Sequence, residues 1–231
     1  MRGLDDPNVS VAKMLLVLIA TVAGLAILCV VLPLVVPRFA ARPTRHDTHL
    51  VVFFAAIGFG FMFVEIALLQ RLALFLGHPT YALGVVLFGL LASSGLGAWL
   101  LGRGRLAAPA LLGGLALLVA AAALAVPSLA SLLQAEPTPV RIAVALALIA
   151  PAGLLMGSAF PLGVRAAQAR AGLLPWLWGL NGAASVLASV IAVPVALEFG
   201  IVANLWIGAA CYLAAAAAVA TGVRRQALPA T

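Results

Sequence analysis

Charge is what this sequence has least of. Its 231 residues include 13 Lys and Arg and 6 Asp and Glu, together 8%, where a water-soluble domain carries about a quarter. So few charges cannot cover a water-facing surface, and that excludes an ordinary soluble fold whatever the chain length would allow. Cysteine is scarcer still. Cys29 and Cys211 both stand in apolar runs, form no CxxC, and are read as buried, inert thiols. Walker A, GxGxxG and HExxH sequences are all missing, so phosphate-loop, dinucleotide and zincin chemistry have no motif here. No Ser–His–Asp set is readable. The longest piece between apolar runs is about a dozen residues, too short to bind a soluble cofactor, and no cofactor is expected.

What is present is apolar: 65% of the residues are hydrophobic, most of them small and aliphatic. Lipid is the natural solvent for such a chain. A bilayer core of about 30 Å takes about 20 helical residues, and seven runs reach that length: 12–36, 50–76, 80–102, 107–133, 140–163, 175–197 and 201–222. The breaks carry turn chemistry. They are Pro37-Arg38 with RPTRHDTH at 42–49, Gly77-His78-Pro79, Gly102-Arg103-Gly104-Arg105, Glu136-Pro137-Thr138-Pro139, Arg165 to Gly172, and Glu198-Phe199-Gly200, the weakest. None of the runs alternates with period two, and only a helix satisfies its own backbone in hydrocarbon. The expected fold is all-α: one polytopic transmembrane helical bundle of about seven spans over residues 1–231.

Arginine placement orients it. The loops after spans one, three and five share a side with the C-terminus. That side holds Arg38, Arg42, Arg45, Arg103, Arg105, Arg165, Arg170, Arg224 and Arg225. The other has Arg2, Lys13, Arg141 and Arg71, beside Asp5, Asp6, Glu136 and Glu198. The positive-inside rule then puts the C-terminus in the cytoplasm and the N-terminus outside, in a bacterial-type inner (cell) membrane. The net charge of +7 is this topological signal, helped by anionic lipid, and asks for no nucleic-acid partner. Asp5 and Asp6 stand where a secretory signal wants positive charge, so the first run is read as a retained helix.

Against that background Glu65 stands out. It lies within FGFMFVEIALLQRLALFLGHP (59–79), about two residues from the middle of the second run. A lone carboxylate at that depth is costly, so Glu65 is expected to face the bundle interior and find hydrogen-bond partners. Arg71, about 9 Å nearer the end, can snorkel. Polar residues of similar depth are Ser93 and Ser94 on the third span and Asn181, Ser185 and Ser189 on one face of the sixth. Two readings stay open. In one, these residues and Glu65 form a polar core that binds a cation or relays protons. In the other, they only fix helix packing.

Gly58 and Gly60, Gly95 and Gly97, Gly153 and Gly157, and Gly179 and Gly182 are expected to let helices approach closely, and GLLMG at 153–157 is a formal GxxxG. Pro151, Pro161 and Pro194 are expected to kink their helices. His46 and His49 flank Asp47 as HxxH, but without further ligands they read as a solvated loop rather than a zinc site. His78, in the Gly-His-Pro turn, can sense pH or cap a helix.

Three stretches carry a resemblance. GFGFMFVEIALLQRLALFLGHPTYALGVVLFGLLASSGLGAWL (58–100), GLLMGSAFPLGVR (153–165) and PWLWGLNGAASVLASVIAV (175–193) resemble, in that order, the membrane portion of spermidine-synthase-like integral membrane proteins. Some members of that family are fused to a major-facilitator-like half. The motif positions carried over are Glu65, Gln70, Arg71, Gly77, His78, Pro79, Gly95, Pro161, Arg165, Trp178, Asn181, Gly182 and Ser185. The family joins such a region to a soluble aminopropyltransferase-like domain with a Gly-rich cofactor loop and catalytic aspartates. That domain is missing from this sequence, so aminopropyl transfer is not carried over. The resemblance implies a stand-alone descendant, a split subunit or a fragment.

Three functions follow as expectations. The first is a non-catalytic membrane subunit or accessory domain, whose partners are the lipid bilayer and other membrane or catalytic subunits. The second is a small transporter for a cation, polyamine or lipid-like substrate using Glu65. The third is a membrane enzyme acting on a lipid or quinone with Glu65 and His78, which lie about 15 Å or more apart along the helix.

Overall fold

In the computed structural model, residues 7–35, 43–102 and 107–227 are described. They form seven helices: α1 (Pro7–Val35), α2 (Thr48–Leu76), α3 (Pro79–Leu100), α4 (Ala108–Leu132), α5 (Thr138–Ala166), α6 (Leu174–Phe199) and α7 (Ile201–Ala227), with no strand among the described residues. Short 3-10 turns at Arg45–Asp47 and Gln168–Leu173 lead into α2 and α6. All seven helices contain a stretch long and apolar enough to cross a membrane, the composition of a multi-pass membrane protein. Each agrees with an expected run to within a few residues, and Pro151, Pro161 and Pro194 all lie inside helices. Arg2, Asp5, Asp6, Arg38, Arg42, Arg103 and Arg105 lie outside the described residues.

The bundle has two unlike ends. One, the basic end, carries both 3-10 turns. The other, the hairpin end, carries Gly77 and Gly200. Gly77, at φ 74°, closes α2 with its N–H on the Ala73 carbonyl at 3.1 Å. Gly200, the weakest expected break, is a full reversal in one residue at φ 84° and ψ 158°. Only glycine adopts that conformation without strain. Gly200→Ala is expected to cost about 1–3 kcal/mol, read as a lower melting midpoint in detergent.

α2 is the hub, packed against α3, α5, α6 and α7, while α4 lies on α7 and α5, and α1 rests chiefly on α6. The closest crossing is α3 on α5. A Cβ on Gly97 would run into the Leu154 backbone, one on Gly153 into the Ser93 side chain, and one on Gly157 into the Ser94 backbone. The GxxxG stretch is thus a genuine close approach, where missing side chains let two backbones touch. Gly58 and Gly60 also lie at close contacts, with Asn181 and with Tyr212 and Cys211. Gly95, Gly179 and Gly182 do not: nothing lies within 4 Å of where their Cβ would stand. Gly179 and Gly182 border a groove beside α1 rather than a packed neighbour. Cys29, read as buried, is exposed in that groove, and Cys211 is half-buried; neither forms a disulfide.

Two polar ties fix the ends. At the basic end Asp47 is 3% exposed. One of its oxygens accepts the Thr44 N–H (2.8 Å), the Thr44 hydroxyl (2.7 Å) and the Arg170 guanidinium (2.6 Å), so it joins the start of α2 to the turn before α6. This corrects the solvated loop expected at 42–49. His49 Nδ1 meets the His46 carbonyl at 2.9 Å, and its ring lies against Gly222 of α7. Among the described residues no group of three metal-binding side chains occurs. Arg170 is partly exposed, so the pair itself is worth little, but Asp47→Asn loses charge from two further bonds. That substitution is expected to cost about 1–2 kcal/mol, measurable by thermal unfolding. Near the hairpin end Asn204, fully buried, donates from Nδ2 to the Ala192 carbonyl at 2.9 Å and ties α7 to α6.

Candidate functional cleft

The chemistry gathers on one face of α2. Phe54, Gly58, Phe61 and Glu65 follow one another at helical spacing, so they form one stripe along the helix. The lower part of that stripe is held to α6 by side chains. Asn181 Nδ2 donates to the Phe54 carbonyl at 2.9 Å. The Ser185 hydroxyl donates to the Asn181 carbonyl at 2.9 Å and lies 3.3 Å from the Gly58 carbonyl. Gly58 is what admits them: a Cβ there would stand 2.6 Å from the Asn181 carbonyl oxygen.

The upper part opens. α5 and α6 are consecutive but not packed along their lengths. Their rings meet where Phe160 lies 5.5 Å from Trp178, and Phe160 is also 5.7 Å from Phe54. Beside this aromatic closure lies a cavity of about 240 Å³ lined by Ile57, Gly58 and Phe61 of α2, Met156, Ala159 and Phe160 of α5, Asn181 and Ser185 of α6, and Tyr212 of α7. Tyr212 is 1% exposed, and its hydroxyl makes no hydrogen bond among the described residues. Glu65 is half-buried, four residues beyond Phe61, which puts it about 6 Å further along the same stripe. The hydrogen bonds expected for it do not occur: its carboxylate has no partner among the described residues.

The structure therefore divides the expected polar core. Asn181 and Ser185 line the cavity, and Glu65 lies one turn of α2 beyond its Phe61 wall, outside the lining. Ser93 and Ser94 lie at the α3–α5 crossing, where their hydroxyls turn back on the Gly89 and Leu91 carbonyls of their own helix. Ser189 bonds the Val186 carbonyl of its own helix at 2.8 Å. Of the other motif residues, Trp178 is exposed at the aromatic closure and Arg165 is exposed in the last turn of α5, where it meets the negative end of that helix. Gln70 and Arg71 lie near the hairpin end of α2. His78 precedes α3, accepts the Ala82 N–H on its carbonyl (3.2 Å), and stacks edgewise on Tyr81 at 5.6 Å without side-chain capping.

Three residues were not singled out from the sequence. Tyr212 and Asn204 are lone polar residues inside the last span, the same signal that marked Glu65. Trp176 is 7% exposed, and its Nε1 donates to the Val30 carbonyl at 2.8 Å, which docks α1 on α6. No family model matches the chain, and no curated protein and no solved structure matches it either.

Proposed function

We propose that this chain is a non-catalytic membrane module that binds a small organic cation in the cleft of α2, α5, α6 and α7. Polyamines suit it best. A polyamine alternates ammonium groups with methylene linkers. The groups along this face alternate in the same way: the Glu65 carboxylate one turn beyond the cavity, and within it apolar and aromatic walls at Phe61, Met156 and Phe160 with the amide and hydroxyls of Asn181, Ser185 and Tyr212. Aromatic faces also attract cations. The observation that carries the reading is the unpartnered Glu65 on the same helical stripe as a polar cavity. A membrane acid without a protein partner is a functional site by default.

In this reading the basic end is cytoplasmic and the N-terminus outside, in a bacterial-type cell membrane, following the positive-inside bias. The module works either as a carrier or as the membrane subunit of a larger assembly. The accessory-subunit reading is favoured by the three-motif resemblance to spermidine-synthase-like membrane regions. It is also favoured by the apolar groove of about 360 Å³ between α1 and α6, which leaves Gly179 and Gly182 uncovered.

The test is labelled spermidine presented to the purified chain in proteoliposomes. Saturable binding or uptake is expected. Tyr212→Phe removes one hydroxyl that bonds nothing among the described residues, so it should leave the melting midpoint unchanged and weaken spermidine binding about three- to tenfold. Equal affinity in Tyr212→Phe and the native chain would remove the cavity from the site. Co-purification of stoichiometric polypeptides from native membranes would assign the subunit role.

A further inference from the structure

A second cavity lies further along the same side of α2, toward the hairpin end, and its walls are almost wholly apolar. Its volume is about 210 Å³, enclosed by Val64 and Leu68 of α2, the Leu118–Ala125 stretch of α4, Ala147 to Ala152 of α5, and Leu205 of α7. Helical periodicity continues two of these walls toward the hairpin end. On α2 the stripe Val64, Leu68 leads to Arg71 and Phe75; on α5 the stripe Ala152, Leu148 leads back to Arg141. The two stripes meet, because Arg141 Nη1 donates to the Phe75 carbonyl at 3.0 Å. Arg71 therefore stands about 4.5 Å beyond the Leu68 wall, one turn below the Arg141 contact.

Both arginines have more donors than the protein satisfies. Arg141 spends Nη1 on Phe75 and Nη2 on Thr138 Oγ1 (3.3 Å), but its Nε is buried with no partner. Arg71 is half-buried, its Nε is buried and unpartnered, and it makes no hydrogen bond or ion pair among the described residues. Among the described residues the carboxylates of this end, Glu136 and Glu198, are exposed and pair with neither. The N-terminus of α5 at Thr138 adds positive partial charge. Two guanidinium groups on the hairpin-end side of an apolar slot, one and two turns beyond its Leu68 wall, call for an anion carrying a hydrocarbon tail.

We propose that this is a site for an anionic glycerophospholipid from the leaflet at the hairpin end. Its phosphate meets Arg71, with Arg141 beside it, and an acyl chain enters the α2–α4–α5–α7 cavity. The planar, multi-donor guanidinium matches phosphate oxygens in geometry as well as charge. The cavity supplies the apolar half of the recognition, which a free phosphate could not use.

The test uses the full chain in phosphatidylcholine vesicles with spin-labelled phosphatidylglycerol or spin-labelled phosphatidylcholine as probe. Preferential immobilisation of the phosphatidylglycerol label is expected. Arg71→Gln should reduce that preference about fivefold, and Arg71→Lys, which returns the charge without the fork of donors, should restore part of it. Ala122→Phe, which fills the slot from α4, should reduce it without altering charge. His78→Ala, an exposed change at the same end, should leave it intact. Undiminished preference in both Arg71→Gln and Ala122→Phe would overturn the proposal, as would equal loss in His78→Ala. Displacement of the label by inorganic phosphate would also overturn it, by showing a site for the free anion.

Discussion

Replacing Gly157 by leucine is expected to leave no cooperative melting transition. The physical cause is backbone contact rather than side-chain packing. At the α3–α5 crossing the Ser94 backbone occupies the place where a residue 157 side chain would begin, and Gly97 and Gly153 meet their partners equally closely. A crowded side chain can rotate away; a carbonyl within α3 cannot move without shifting the helix. Overpacking of ordinary cores costs about 1–3 kcal/mol, and Gly157→Ala should already reach that range. Leucine adds three further carbons to the same collision. The total then approaches the ~5–15 kcal/mol that holds a typical domain together. Gly114→Leu is the control, since Gly114 has open space where its Cβ would stand. Circular dichroism melts in detergent decide the matter. Matching midpoints for the native chain and Gly157→Ala would show that α3 and α5 do not meet at this glycine.

Glu65→Gln is expected to abolish saturable spermidine binding while leaving the melting curve in place. The two outcomes separate because the carboxylate bonds nothing among the described residues, so an isosteric amide removes no native contact. Toward a cationic ligand the loss is different. Removing one partner of a desolvated charge pair costs about 2–5 kcal/mol, which is ~30-fold or more in affinity. The same measurement distinguishes the cleft from the apolar cavity: Glu65→Gln should not alter phosphatidylglycerol preference, and Arg71→Gln should not alter spermidine binding. A Glu65→Gln protein that binds spermidine normally would reduce the cleft to a packing feature.

The span pattern was legible because each helix is bounded by residues with one strong local preference. Gly77-His78-Pro79 could hardly be anything but a turn, and even Glu198-Phe199-Gly200 rests on a single glycine whose backbone no other residue adopts easily. Depth was legible too, since it follows from counting residues. Azimuth was not. Ser93 and Asn181 sit at comparable depth, yet Ser93 faces α5 and Asn181 faces α2, and nothing local to either residue sets that direction. It depends on which helix ends up beside which. For the same reason the Arg170–Asp47 contact, which spans 123 positions, left no trace in the local pattern. Glycine context misled in the same way: Gly157 and Gly182 look alike in sequence, but one is pressed against a backbone and the other borders an open groove.

The lopsided attachment of α1 bears on how the chain is made. α1 rests chiefly on α6, through a bond from Trp176 to Val30, 146 positions earlier. Most of the polypeptide must therefore leave the ribosome before α1 has a mate. Until then it waits alone among lipid tails, and it is the most hydropathic of the seven, well suited to that solitude. Docking of α1 is thereby tied to the arrival of α6.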